Sequence, residues 1–290
     1  MNFSTLYIVG CGDIGTRVAG MAVDRAIKVF SLSRGNKFPR GKEASGVEFK
    51  VCDLDSPETL SGLNLKGAAL LYSAPPPGGG VTDMRVRNFL SALDIGCEPA
   101  KMVYISTTSV YGDCGDEVVT EERPANPANH TARRRSDAED RFRAWGIERG
   151  IPVVILRVSG IYGPGRIPMQ RIQSREPLLD EREAGYTNRI HADDLAQVCI
   201  AALEKGEDGD IFNVCDGEES KMTDYFNAIT DLLNVPRLPQ VPLAEARRVM
   251  SPLMFSYMTE SRKISNRKML EKLGIKLKYP TMMEGLKDSL

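Results

Sequence analysis

The stretch Leu6-Tyr7-Ile8-Val9-Gly10-Cys11-Gly12-Asp13-Ile14-Gly15 decides the fold. Its first four residues are apolar and β-prone and read as a strand, and the glycines follow at the spacing GxGxxG. Val18, Ala19, Ala22 and Val23 then recur at helical spacing, and Ile27 to Leu32 is a second apolar run. Strand, glycine turn, helix and strand within about thirty residues make a βαβ unit. In that setting the first glycine permits a tight turn, the second lets the backbone approach a pyrophosphate, and the third lets helix pack on strand. The helix N-terminus adds free N–H groups and the positive end of its dipole. Gly10, Gly12, Asp13, Ile14 and Gly15 are therefore predicted to bind a dinucleotide; the competing reading is a purely structural turn.

The alternation continues outward. Apolar runs predict strands at 47–51, 68–72, 102–105 and 152–156. Helices are predicted from Ser56-Pro57-Glu58, with Ser56 as N-cap, over 84–93, and over 131–149. Strands that are apolar throughout are buried on both faces, so the pattern predicts an α/β protein with a Rossmann, doubly wound parallel sheet. After residue 164 the rhythm changes. Residues 165–187 are polar and arginine-rich, a helix is predicted from Asp193 to Leu203, and 211–214 is a late strand. Helical patterns over 223–290 are broken by prolines. The predicted division is a nucleotide-binding domain over 1–164 and a smaller C-terminal substrate-binding lobe over 165–290, with 190–215 returning to the first.

The 290 residues carry 38 Lys and Arg against 39 Asp and Glu, a net charge of −1. That balance gives no reason to expect nucleic acid or an acidic membrane as partner. No apolar run approaches the roughly 18 residues of a membrane span, and the N-terminus reads as a strand, not a signal peptide. The six cysteines form no CxxC pair and only His130 and His191 accompany them, so no metal site is expected. Reduced thiols in a cytoplasmic protein are the expectation.

The end of the second strand selects the cofactor. An acid there would bind the ribose 2′-OH of NAD. The sequence is Ser31-Leu32-Ser33-Arg34, which has no acid. Arg34 can meet a 2′-phosphate, with Ser33 as hydrogen-bond partner, so NADP(H) is predicted over NAD(H); the alternative is a solvated arginine. Two readings stand for Asp53: it accepts from the adenine amino group while Leu54 packs on the ring, or it begins the loop before Ser56. Ala74 and Pro75 close the fourth strand and are predicted to line the cofactor.

Four stretches make the chain resemble the extended short-chain dehydrogenase/reductase superfamily, the NAD-dependent epimerases and dehydratases. They are the glycine turn, Ile105-Ser106-Thr107-Thr108-Ser109-Val110-Tyr111-Gly112-Asp113, Leu156 to Arg166 with its Gly160-Ile161-Tyr162-Gly163-Pro164-Gly165 core, and Asn188 to Ala196. The resemblance implies that Thr107 orients a substrate oxygen and that Thr108, Tyr162, Arg166 and Arg189 stand at the substrate. It also implies an acid/base Tyr and a Lys at the start of the next helix. Glu139 sets the register, which puts Thr131 in the Tyr place and Arg135 in the Lys place.

That departure has chemical consequences. A phenol near pKa 10 is brought toward neutrality by a cation; a Thr hydroxyl is not. Arg135 can still hold ribose hydroxyls. His130, Tyr111 and Tyr162 are the candidate replacement proton donors. The competing reading of 131–143 is a solvated helix face with Asp137–Arg141 and Glu139–Arg143 pairs. His191 reads as structural. Two functions follow: an NADP(H)-dependent oxidoreductase or epimerase/dehydratase-like enzyme acting on a small polar substrate such as a nucleotide sugar, or a non-catalytic NADP(H)-binding sensor. The resemblance further implies a homodimer through the helices near 84–94 and 131–149.

Overall fold

The computed structural model describes residues 3–35, 38 and 45–290. Its centre is a parallel sheet of seven strands: β1 (Thr5–Val9), β2 (Lys28–Ser33), β3 (Val47–Val51), β4 (Ala69–Tyr72), β5 (Lys101–Thr107), β6 (Val153–Val158) and β7 (Ile211–Val214). Their order is β7-β6-β5-β4-β1-β2-β3. The winding reverses between β1 and β4, which pair with Leu6 beside Ala69 and Val9 beside Tyr72. A crevice therefore opens at the carboxyl ends of those two strands, where such sheets take ligands. This is the Rossmann architecture expected from the apolar runs.

Alternate residues of each strand face opposite layers. Leu6 and Ile8 of β1 pack with Val18 and Ala22 of α1 (Asp13–Val23), in one cluster with Leu195 and Val198. Tyr7 and Val9 join the opposite layer, where Phe89 and Phe142 bury themselves on Tyr72 and Tyr104. That layer is made by α2 (Met84–Ser91) and α3 (His130–Arg149). Asn129 caps α3 by accepting from the Ala132 amide at 2.9 Å, and Gly150 ends it in the left-handed region. One expected helix is absent. The segment from Ser56 is a single 3-10 turn over Pro57–Leu60, and Ser56 makes no side-chain cap. Thr59 Oγ1 donates instead to the Ser56 and Asp53 carbonyls, and Gly62 at φ +71° turns the chain away.

A third apolar cluster lies outside the sheet. It gathers Ile172, Leu178 and Leu179 with Phe226 and Ile229 of the helix Met222–Leu232, and with Met258 and Leu286. The chain is tied back to the sheet at α4 (Ala192–Lys205), whose Asp194 is fully buried and accepts from the Lys278 and Tyr279 amides at 2.7 and 2.9 Å. No helix among the described residues is long and apolar enough to cross a membrane.

Candidate functional site

The glycine turn borders a cavity of about 420 Å³ at the carboxyl ends of β1, β2 and β4. Gly10 sits at φ +83°, and a Cβ there would come within 2.6 Å of the Ala74 backbone. Its neighbour Ser73 donates from Oγ to the Gly10 carbonyl at 2.7 Å. Gly12 has nothing within 4 Å of where its Cβ would stand, so bare backbone faces the cavity. Gly15 lets α1 settle against Ile8, at 3.1 Å from its missing Cβ. The first N–H groups of α1 have no intrahelical acceptors and point toward the same space. A backbone cradle of this kind fits a pyrophosphate.

The other predicted cofactor residues meet here. Asp13, Ile14, Ser33, Arg34, Asp53, Leu54, Ala74, Pro75 and Arg135 all line the cavity. Arg34 is exposed at its rim. Asp53 Oδ1 accepts from the Asp55 amide at 3.0 Å as a turn residue, and Asp53 also lines the cavity. Arg135 is fixed from β5, donating to the Ile105 carbonyl at 2.9 Å and to Tyr104 Oη at 3.2 Å. Arg85 is a lining residue that carried no motif. Its guanidinium grips Asp55 and the Pro75 carbonyl, and it holds the Asp55 carboxyl below its usual range.

A second cavity, of about 330 Å³, joins the first, with Ile161 and Arg166 lining both. Thr107, Thr108 and Ser109 line one wall, and Asn188, Arg189, Tyr257 and Arg262 another. Thr107 Oγ1 caps the 3-10 turn Thr108–Tyr111 by accepting from the Ser109 amide at 3.2 Å. No carboxylate lines this cavity among the described residues. Arg262 is already paired with Glu260 at 2.6 Å, and Arg166 with Asp13. Arg189 differs. It is 5% exposed, its guanidinium stacks 3.8 Å over the Tyr225 ring, and its Nε has no partner among the described residues. Burial pushes its proton affinity down. Asp216 and Asp224 act on its charge from a distance, but no carboxylate forms an ion pair with it among the described residues, so an anion in the cavity is favoured.

Other predicted residues stand elsewhere. His130 and Thr131 open α3 exposed and line neither cavity. Tyr111 is buried, and its hydroxyl donates to Asn213 Oδ1 at 2.8 Å. Tyr162 is fully buried against His191 and Tyr225, and burial raises its hydroxyl far above the ordinary value. Neither tyrosine lines either of these two cavities. His191 is structural, as read from its position: its Nδ1 accepts from the Asp193 amide at 3.2 Å, and burial lowers its pKa. Arg134 is not on a solvated face. It is buried and donates to the Gly79 and Gly80 carbonyls at 3.2 and 2.8 Å, tying the Pro-Gly loop to α3. No group of three or more His, Cys, Asp or Glu is placed to hold a metal among the described residues.

Asp216 sits behind Arg189, whose carbonyl accepts from its amide at 2.7 Å. Burial pushes the Asp216 carboxyl up to about 7, with Glu218's charge adding to it and the Glu218 amide and Arg189 opposing. Between the unfolded value of about 3.9 and this one, the native state holds a proton that the unfolded chain has lost. Stability from this group is present at low pH and falls as pH rises across that window, by up to ~4 kcal/mol. Asp216→Asn should flatten the slope in urea unfolding at pH 5 and pH 8. Equal slopes in variant and wild type would rule this out.

Residues 84–215 match the NAD dependent epimerase/dehydratase family, a region holding the Thr107, Arg135, Ile161 and Arg189 segments. A dTDP-D-glucose 4,6-dehydratase of Mus musculus is 32% identical over 132 residues, covering 43% of this chain and 37% of that protein. The chain thus spans little more than a third of that curated relative's length. A functionally unknown conserved protein from Silicibacter pomeroyi DSS superposes with a TM-score of 0.79 at 28% identity, covering 98% of this chain and 97% of the other. The fold is shared with the UDP-glucose 4-epimerase of Thermus thermophilus solved with NAD, at a TM-score of 0.78, 21% identity, and 98% and 97% coverage. The sheet order, the sequence strings and the match over residues 84–215 agree in likening the chain to the extended short-chain dehydrogenase/reductase superfamily.

Proposed function

We propose that the protein is an NADP(H)-dependent, epimerase/dehydratase-like enzyme acting on a small anionic substrate, with nucleotide sugars as the leading class. The observation that carries this reading is the pair of cavities meeting at Ile161 and Arg166, one under the glycine turn and one lined by Thr107 and the buried Arg189. A nicotinamide nucleotide, when bound, would supply hydride-transfer chemistry to a substrate in the second cavity. Arg135 holds ribose hydroxyls, its guanidinium already oriented by the Ile105 carbonyl. Thr107 positions the substrate oxygen, and Arg189 receives the substrate's anionic group. The segments 165–189 and 216–290 form the substrate lobe, while 190–215 belongs with the sheet. A homodimer through α2 and α3 belongs to the same reading.

The proton has to come from a group that faces the second cavity. Tyr257 is the lining residue suited to this, since Ser and Thr hydroxyls titrate far too high and the arginines stay charged. Its hydroxyl makes no hydrogen bond among the described residues. Burial, then Glu260's charge, raises the Tyr257 hydroxyl, with Arg262 opposing, so it stays protonated at neutral pH. The exposed His130 is not needed: His130→Ala should keep full turnover.

The cofactor preference rests on Arg34. An Arg–phosphate contact is worth about 1.5–3 kcal/mol, so Arg34→Ala should weaken NADPH binding by roughly ten- to a hundredfold and leave NADH nearly unchanged. Calorimetric titration of both nucleotides measures this, and an unchanged NADPH/NADH ratio would remove the assignment. A second reading, the non-catalytic NADP(H)-binding sensor, is favoured by the exposure of His130 and Thr131. Turnover of dTDP-glucose, UDP-glucose and their 4-keto forms with bound or added cofactor separates the two. Tight NADPH binding without turnover across that panel would select the sensor.

A further inference from the structure

The glycine turn contains an acid. Asp13 stands between Gly12 and Ile14 with its side chain 14% exposed, and it lines the cavity meant for a pyrophosphate. A carboxylate there repels phosphate unless its charge is cancelled, and in a partly buried cavity that repulsion is only weakly screened. Among the described residues, Arg17 and Arg166 both meet it with their guanidiniums. Arg17 Nε binds Asp13 Oδ1 at 3.0 Å from the next turn of α1, and Arg166 Nε binds Oδ2. The two are not equivalent. Arg17 also bonds Asp193, so its charge is shared between two carboxylates. Among the ion pairs of the described residues, Arg166 is paired with Asp13 alone. Arg166 reaches the turn from a distant part of the chain, just after the Gly163-Pro164-Gly165 bend, where its amide closes the bend on the Gly163 carbonyl at 3.0 Å. It also lines the second cavity.

We propose that Arg166 is a positioning residue of the cofactor turn: by neutralising Asp13 it allows a phosphate-binding turn that carries an acid to accept a pyrophosphate. This rests on the proposed NADP(H) site and adds to it a residue from the far side of the crevice. A turn lacking the acid would not need the arginine, and that dependence is what separates this role from a direct contact between Arg166 and the cofactor.

The test is a double-mutant cycle on the full chain, read as the NADPH dissociation constant by calorimetry, with thermal unfolding to verify the fold. Arg166→Ala should weaken NADPH binding by about tenfold, and Asp13→Asn alone should leave it equal or tighter. In the Asp13→Asn background, Arg166→Ala should cost less than about threefold. Arg166→Gln serves as a second variant if the alanine form unfolds early. The same loss in both backgrounds would mean that Arg166 touches the cofactor directly and would overturn the proposal. No loss in Arg166→Ala or Arg166→Gln would overturn it as well. Absence of NADPH binding by the wild type is a different result: it removes the cofactor site itself and the role of Arg166 with it.

Discussion

Replacing Glu139 with alanine should lower the unfolding free energy by about 3–5 kcal/mol, the cost of leaving a buried charge without its partner. Glu139 is 1% exposed on α3, and Arg157 of β6 is 3% exposed. The Glu139 carboxylate accepts from Arg157 Nη2 at 2.7 Å and from its Nε at 3.2 Å. Ser106 Oγ donates to Glu139 Oε1 at 2.6 Å, and Arg143 Nη2 donates to Oε2 at 2.9 Å from the outer side. The Arg157 guanidinium also lies 4.6 Å from the centre of the Tyr111 ring, while its Nη1 has no partner among the described residues. Losing the carboxylate would strand the rest of that guanidinium in the core. Glu139→Gln keeps an acceptor and should cost less. Urea unfolding of the two variants measures the difference; a loss below about 1 kcal/mol for the alanine form would show that water or another group reaches Arg157. The network also has a functional consequence. It clamps α3 to β5 and β6 one residue from Thr107 and one helical turn from Arg135, so a loosened clamp should disturb both site residues.

Tyr257→Phe should reduce turnover by at least about a hundredfold while leaving NADPH binding unchanged, the usual range for removing a general acid or base. The phenylalanine keeps the ring that lines the cavity and removes only the hydroxyl. A drop in kcat with KM nearly constant is the signature of a group that acts in the transition state. In contrast, a raised KM with unchanged kcat would make Tyr257 a binding residue, and full activity would exclude it from the chemistry. The pH profile supplies an independent readout. Because Glu260 and burial keep the Tyr257 hydroxyl high, the wild-type rate in the reducing direction should hold through neutral pH and fall only on the alkaline side. Tyr257→Phe should lack that alkaline limb.

The sheet and the glycine turn were legible because their signals are local. Four apolar residues, three glycines at fixed spacing and a helical apolar face lie within one short stretch, and each acts through neighbours in the chain. Arg34 and Ala74 could be placed from the same logic, since both close a strand. The helix 130–149 was harder. Its alternating charges look like a solvated face, and the Asp137–Arg141 and Glu139–Arg143 pairs do form at 2.8 and 2.9 Å. Yet Glu139 and Arg134 are buried, because their main partners are Arg157 and the Gly79 and Gly80 carbonyls. Nothing in the spacing of a helix announces a partner on another strand. Tyr257 and Arg262 were invisible for the same reason. They reach the cavity only because the short strand Lys263–Ile264 runs beside Val118–Val119 and brings that part of the chain next to the loop after β5. Arg85 carried no motif and would have needed its pairing with Asp55 to be found.

The most direct test of the cofactor cavity is a titration of the purified wild-type protein with NADPH and with NADH, followed by nucleotide fluorescence and calorimetry. Saturable binding of one nucleotide per chain, with NADPH tighter than NADH by tenfold or more, is the expected result. Binding of neither nucleotide would mean that the glycine turn is purely structural, and the enzyme and sensor readings would fall together.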